Sequence, residues 1–213
     1  MTIAMINGSP KLGKSNSEEM LNRFEPFINS EHKITHYNIN KKPLNGEQYK
    51  ELCRMDVLFF AFPLYIDAIP THLFRMMVEF EDYLKQNKKN DIFVYAIINN
   101  GFYEGCQNYV AVEILKNWCK RCGINFGMAI CTGAGEMMAF MEKVPAGRGP
   151  LKNLGNAMKA LADCVQQRNS EESILFSPNL PRFMWRFTGT HFFWNKIAKK
   201  NGLNKRDIVA KVK

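Results

Sequence analysis

The 213-residue chain has no apolar run approaching the roughly 18 residues that a membrane-spanning helix needs. It has no disulfide framework either: the six cysteines are scattered at 53, 106, 119, 122, 131 and 164, which suits reduced thiols. The four histidines, at 32, 36, 72 and 191, form no metal-spaced cluster, and the cysteines do not group as iron–sulfur ligands do. No metal site is therefore expected. Acid is in short supply, with 20 Asp and Glu against 29 Lys and Arg, leaving +9. The chain opens directly into a strand-like run with no basic-then-apolar leader, so the expected location is cytoplasmic.

What is present is alternation. Apolar, β-rich runs fall near 1–7, 32–39, 56–62, 91–98 and 124–131, and amphipathic helical spacings separate them. Leu73, Met76, Met77, Phe80 and Leu84 define one helix, entered through Pro70-Thr71. Val110, Ile114, Leu115 and Trp118 define a second, and Leu151, Leu154, Met158, Leu161 and Val165 a third. Runs such as Val57–Phe62 and Ile92–Ile98 are apolar throughout, as expected of parallel strands covered on both faces. The run at 32–39 is the most polar and suits a sheet edge. These features predict an α/β domain over residues 1–169, followed by an extension over 170–213.

Chemistry gathers at the strand ends. After Ile3–Ile6 comes Asn7-Gly8-Ser9-Pro10-Lys11-Leu12-Gly13-Lys14-Ser15-Asn16-Ser17, and then a helix. Glycine lets the backbone approach an anion, hydroxyls donate hydrogen bonds, and a helix N-terminus presents unpaired N–H groups with partial positive charge. Gly8 to Ser15 also satisfies the nucleotide-triphosphatase pattern G-x-x-x-x-G-K-[ST]. That chemistry needs an acid at the end of a core strand to organise magnesium, and the strands here end in Phe60-Ala61-Phe62-Pro63 and Ile97-Ile98-Asn99-Asn100. Pro10 also removes an N–H from the loop. A second loop, Pro63-Leu64-Tyr65-Ile66-Asp67, carries an aromatic at the carboxyl edge of the sheet, where open α/β sheets bind ligands. Tyr65 there either stacks on a flat heteroaromatic ring or covers the end of the core. A third loop, Asn99-Asn100-Gly101-Phe102-Tyr103, can turn tightly and turn backbone amides toward a ligand.

With these three segments, and with Cys131–Met138 after the fifth run, the chain resembles the flavodoxin-like family of NAD(P)H-dependent FMN and quinone reductases. The resemblance covers roughly residues 1–165. It implies a flavodoxin-like three-layer sandwich with a five-stranded parallel sheet in the order 2-1-3-4-5. It implies FMN as cofactor and NADH or NADPH as co-substrate. Ser9, Lys11, Ser15, Asn16 and Ser17 would hold the phosphate. Pro63, Leu64, Tyr65, Ile66 and Asp67 would line the isoalloxazine, and Asn99, Asn100, Gly101, Phe102 and Tyr103 its other edge. No catalytic side chain is named, because the flavin carries the chemistry. Lys14 departs from the family pattern, and its role is open. The acceptor would be a quinone, flavin, nitro compound or similar small molecule. The alternative is a flavin-binding electron carrier or regulatory module that docks through its tail.

Other signals are weaker. Cys119-Lys120-Arg121-Cys122 mimics a redox dithiol, but its place at a helix end, before Gly123, predicts structural or incidental cysteines. Gly133-Ala134-Gly135 is half a dinucleotide fingerprint, with Met138 where the third glycine should stand. From Leu180 onward nine Lys or Arg face one acid, Asp207, so this segment carries +8 of the chain's +9. It also holds Phe183, Met184, Trp185, Phe187, Phe192, Phe193 and Trp194. Nucleic acid or a membrane surface could take such a segment. The expectation is burial of its aromatics against the domain or a partner subunit, in a homodimer.

Overall fold

The computed structural model describes residues 1–40, 42–87 and 91–210. Lys211 and Lys213, counted in the basic extension, lie outside them. The chain divides into two compact units, Met1–Pro178 and Asn179 onward.

The first unit is built on a parallel sheet. Strands β1 (Thr2–Asn7), β2 (Lys33–Asn38), β3 (Val57–Pro63), β4 (Phe93–Asn99), β5 (Asn125–Thr132) and β6 (Ile174–Phe176) lie in the order β2-β1-β3-β4-β5-β6. This is the predicted order with one strand added, so the expected five-stranded sheet is corrected to six. β6 pairs Ile174–Phe176 with Ile130–Thr132 along the free edge of β5. Three residues between acidic Glu171-Glu172 and Pro178 are too short to show a period in sequence. β2 is the other edge, and Tyr37 is its one fully buried residue.

Helices α1 (Asn16–Phe24), α2 (Gly46–Leu52), α3 (Thr71–Asn87), α4 (Tyr109–Cys122) and α5 (Lys152–Gln167) cover both faces. Successive strand side chains point to opposite faces, and this divides the core in two. Ala4, Ile6, Leu58, Phe60, Phe62 and Ile98 pack with Leu73, Met77 and Phe80 of α3 and Leu115 and Trp118 of α4. Ile3, Met5, Val57, Phe59, Tyr95 and Ile97 pack with Met20 and Phe24 of α1 and Met158, Leu161 and Val165 of α5. Each fully buried aromatic contributes about 1.5–3 kcal/mol of hydrophobic stabilisation. The Phe24 and Phe59 rings stack at 4.5 Å.

One glycine fits a break in the ladder. Val94 pairs with Phe126 and Tyr95 with Met128, leaving Gly127 as the extra residue of a bulge. A Cβ on Gly127 would lie 2.1 Å from the Tyr95 ring. The Tyr95 hydroxyl donates to the carbonyls of Cys164 (3.0 Å) and Asn169 (2.9 Å), tying β4 to the end of α5.

Cys119 and Cys122 lie in the last turn of α4, which Gly123 caps at φ 68°. Burial raises both thiols, Cys122 to about 12, the reverse of what a redox dithiol needs. Their structural reading follows from that placement.

The second unit is helical: α6 (Arg182–Thr188) runs into a π-helical stretch (Gly189–Trp194) and then α7 (Asn195–Lys200), with α8 (Lys205–Ile208) after a turn.

Candidate functional site: the carboxyl edge of β1, β3, β4 and β5

Strand register brings the strand ends together. Asn7 lies opposite Ala61 and Asn38, Pro63 opposite Asn99, and Asn99 opposite Thr132. Segments far apart in sequence therefore leave the sheet side by side. Hydrogen bonds join them into one surface. Gly8 N–H donates to the Ala61 carbonyl (2.8 Å), and Leu64 N–H to the Asn99 carbonyl (2.7 Å). Gly135 N–H donates to the Asn100 carbonyl (2.7 Å), and Asn100 N–H to the Thr132 carbonyl (3.2 Å).

The first loop runs from the end of β1 into the start of α1. Ser15 is the N-cap of α1, and its hydroxyl accepts from Glu18 N–H at 3.1 Å. Ser9 N–H donates to Asn7 Oδ1 (3.1 Å), and Lys11 N–H to Ser9 Oγ (3.3 Å), folding the loop back on the end of β1. Asn40, just after β2, donates to the Lys11 carbonyl. Ser9, Ser15 and Ser17 are buried, whereas Lys11 and Lys14 stand exposed. Among the described residues, the backbone N–H groups from Leu12 to Ser17 find no protein acceptor. Consecutive unpaired donors running into a helix N-terminus are the kind of backbone on which anions bind. The strands around it end in Asn7, Pro63, Asn99 and Thr132, none of them a magnesium ligand of the triphosphatase type.

Asn99 couples this loop to the next. It is 3% exposed, and its amide donates to the Phe62 carbonyl (3.2 Å) and reaches Ser17 Oγ (3.5 Å). The loop after β3 then turns at Tyr65–Ala68, which exchange two 3.1 Å hydrogen bonds. Ile66 and Asp67 make the turn at φ 48° and 58°. Positive φ at both central residues is the type I′ pattern, and a β-branched residue there is strained by about 1–3 kcal/mol. No turn signal in the sequence marks Ile66. The strained tip is also apolar and exposed: Ile66 is 98% accessible and Tyr65 52%, and Phe102 of the loop after β4 is 54% accessible. Tyr65, half exposed, therefore does not close the core.

Asn100 supplies the other polar group. Its amide donates to the Glu104 carbonyl (3.1 Å), while its buried Oδ1 has no partner. An orphaned buried acceptor costs about 1–3 kcal/mol unless a ligand donor, such as a ring N–H, satisfies it. Hydrogen bonds thus link the loops that carry residues 9–17, 63–67 and 99–103 at this edge.

The loop after β5 belongs with them, and its site residues were not singled out in the sequence. A Cβ on Gly133 would lie 2.0 Å from the Tyr103 carbonyl oxygen, and one on Gly135 2.6 Å from Asn99 Oδ1. The half-fingerprint glycines hold the third and fourth loops in contact rather than a dinucleotide. Glu136 follows them, exposed beside Gly101. His72 was also missed. It lies in the first turn of α3 with a buried, unpartnered Nε2. Burial lowers its pKa, and the nearby Ser9 backbone works the other way.

No protein-family model and no curated protein matches the chain. Solved structures do. The Trp repressor binding protein from Bacillus subtilis aligns with a TM-score of 0.57 at 14% identity, covering 75% of this chain and 96% of its own. An NADH:FMN oxidoreductase in its apo form aligns at 0.57 and 16% identity, covering 80% and 91%. An NADPH-quinone reductase from P. pentosaceus aligns at 0.56 and 15%, covering 76% and 98%. At such identity the likeness establishes the fold. With its strand order and layers, the chain has the flavodoxin-like fold.

Proposed function

We propose that this junction binds FMN and that the protein is an NAD(P)H-dependent oxidoreductase acting on a quinone, flavin, nitro compound or similar small acceptor. One observation carries the reading: the unpartnered N–H run at the start of α1 is linked through Asn99 to the loop after β3, on which Tyr65 and Ile66 stand exposed. A phosphate on a flat, conjugated ring is the ligand that such a pair of subsites fits. Two structural neighbours, an NADH:FMN oxidoreductase and an NADPH-quinone reductase, support it.

The residues divide the work. The amides of Leu12 to Ser17, with the Ser9, Ser15 and Ser17 hydroxyls, hold the phosphate, and each charge-assisted hydrogen bond is worth about 1.5–3 kcal/mol. Asn99 fixes the distance between phosphate loop and ring loops. Asn100 Oδ1 accepts from a ring N–H, and the backbone of residues 99–103 borders the polar edge. Tyr65, Ile66 and Phe102 keep water from the ring and leave a face open to two flat substrates in turn. When bound, FMN supplies the hydride-accepting and electron-donating chemistry, so no side chain needs to act as acid or nucleophile.

Protein reconstituted with FMN should oxidise NADH or NADPH continuously when a quinone is supplied. A single stoichiometric reduction, with no turnover on any small acceptor, would favour the electron-carrier reading and refute the enzyme.

A further inference from the structure

We propose that the helical segment 182–200 docks this protein on an anionic lipid bilayer. Along one unbroken helical path, large apolar side chains remain in water: Phe183 is 72% exposed, Phe187 56%, Phe192 55%, Trp194 53% and Met184 42%. The less exposed residues here are Trp185, Gly189, Phe193, Asn195 and the buried Ala198, of which the first three recur every four positions. Phe183, Phe187 and His191 recur likewise and form an exposed strip, with the Phe187 and His191 rings stacked at 4.2 Å.

Charge identifies the occupant. Residues 179–210 carry seven Lys or Arg (182, 186, 196, 199, 200, 205, 206) and one acid, Asp207. That carboxylate is already engaged, accepting from Asn204 N–H at 2.6 Å. From Leu180 on the segment holds +8 of the chain's +9, so the rest of the chain is nearly neutral and the positive field has one source. Lys196 sits over the Phe192 ring at 5.8 Å, cation beside aromatic. Aromatic rings belong at the headgroup level of a bilayer, while the long basic side chains reach lipid phosphates. A second copy fits this face poorly, since a two-fold contact would set these charges against themselves. Exposed Met184, Ile197 and Leu203 lie among the rings, and such aliphatic side chains gain from an acyl boundary and nothing from stacked bases. Among the described residues no helix is long and apolar enough to cross a membrane, so the contact is with the surface.

The test is co-sedimentation of the full-length protein with vesicles of phosphatidylcholine alone or with about one-third phosphatidylserine. Binding is expected only to the anionic vesicles, and it should weaken sharply between about 0.1 M and 1 M salt as the Debye length falls from ~10 to ~3 Å. Lys199→Gln with Lys200→Gln, both exposed, should lower partitioning about 25-fold at ~5-fold per charge, with an unchanged circular dichroism spectrum. Phe183→Ser with Phe187→Ser should also release the protein. The proposal is overturned if neutral vesicles bind equally or neither kind binds. It is also overturned if the same variants instead dissociate a dimer or abolish binding to single-stranded DNA.

Discussion

Replacing Gly133 with alanine tests whether the loops after β4 and β5 truly share one surface. The new Cβ would sit 2.0 Å from the Tyr103 carbonyl oxygen, 2.5 Å from its carbon and 2.9 Å from the Glu104 carbon. Ordinary contacts need about 3.5 Å, so two backbone segments must separate by more than 1 Å or so. The obstacle is main chain, which cannot rotate aside. Separation strains the hydrogen bonds of Gly133 N–H to Phe176 O (3.1 Å) and of Ala134 N–H to Phe102 O. Overpacking at about 1–3 kcal/mol, plus two hydrogen bonds near 1 kcal/mol each, amounts to about 3–5 kcal/mol. For a chain of this size that lowers the melting temperature by roughly 10 °C. Gly13→Ala is the control: nothing lies within 4 Å of its Cβ and its φ is not positive. That variant should be neutral, or more stable by up to about 1 kcal/mol. Thermal denaturation of both variants reads the difference, and flavin titration shows whether the ring loops moved. If Gly133→Ala melted within about 2 °C of the parent and bound FMN equally, the packing described between these loops would be wrong.

Three further outcomes follow from the same geometry. Ile66→Asn should relieve the strain at φ 48° and raise stability by about 1 kcal/mol, seen as a higher melting temperature; a fall would mean that Ile66 is held there by packing. Tyr65→Ala should weaken ring binding by roughly 0.5–1.5 kcal/mol beyond area and shift the potential of bound flavin. Ser15→Ala with Ser17→Ala should weaken FMN binding while leaving that potential nearly unchanged; potentiometry showing the reverse would move the ring elsewhere. Because burial lowers the His72 pKa, the folded state prefers the neutral imidazole, so its contribution is complete above the free value near 6.5 and is lost as pH falls below it. Melting curves from pH ~8 to ~5 should therefore fall less steeply in His72→Gln, and parallel curves would show that His72 does not matter.

Much of this molecule is legible in its residues because its signals are local. Val57–Phe62 and Ile92–Ile98 are apolar throughout since both faces of those strands are covered, and Ser15 declares a helix start through its own hydroxyl. The three loops could be placed because a parallel sheet sends every strand's carboxyl end to the same edge. What escaped depends on contacts between distant segments. β6 exists because β5 offers a free edge, and its three residues carry no period of their own. Gly133 and Gly135 look like part of a nucleotide motif until the neighbouring loop's carbonyls are seen against them. Ile66 occupies a conformation that its own chemistry disfavours, so no propensity could have found it.

The central claim is that an anion nest and a ring cleft form one FMN site, and comparing the affinities of FMN and riboflavin tests it most directly. Two net phosphate hydrogen bonds at about 1.5 kcal/mol each predict FMN binding about 100-fold tighter. Equal affinity for the two, or tight binding of magnesium–ATP in place of either, would contradict the account.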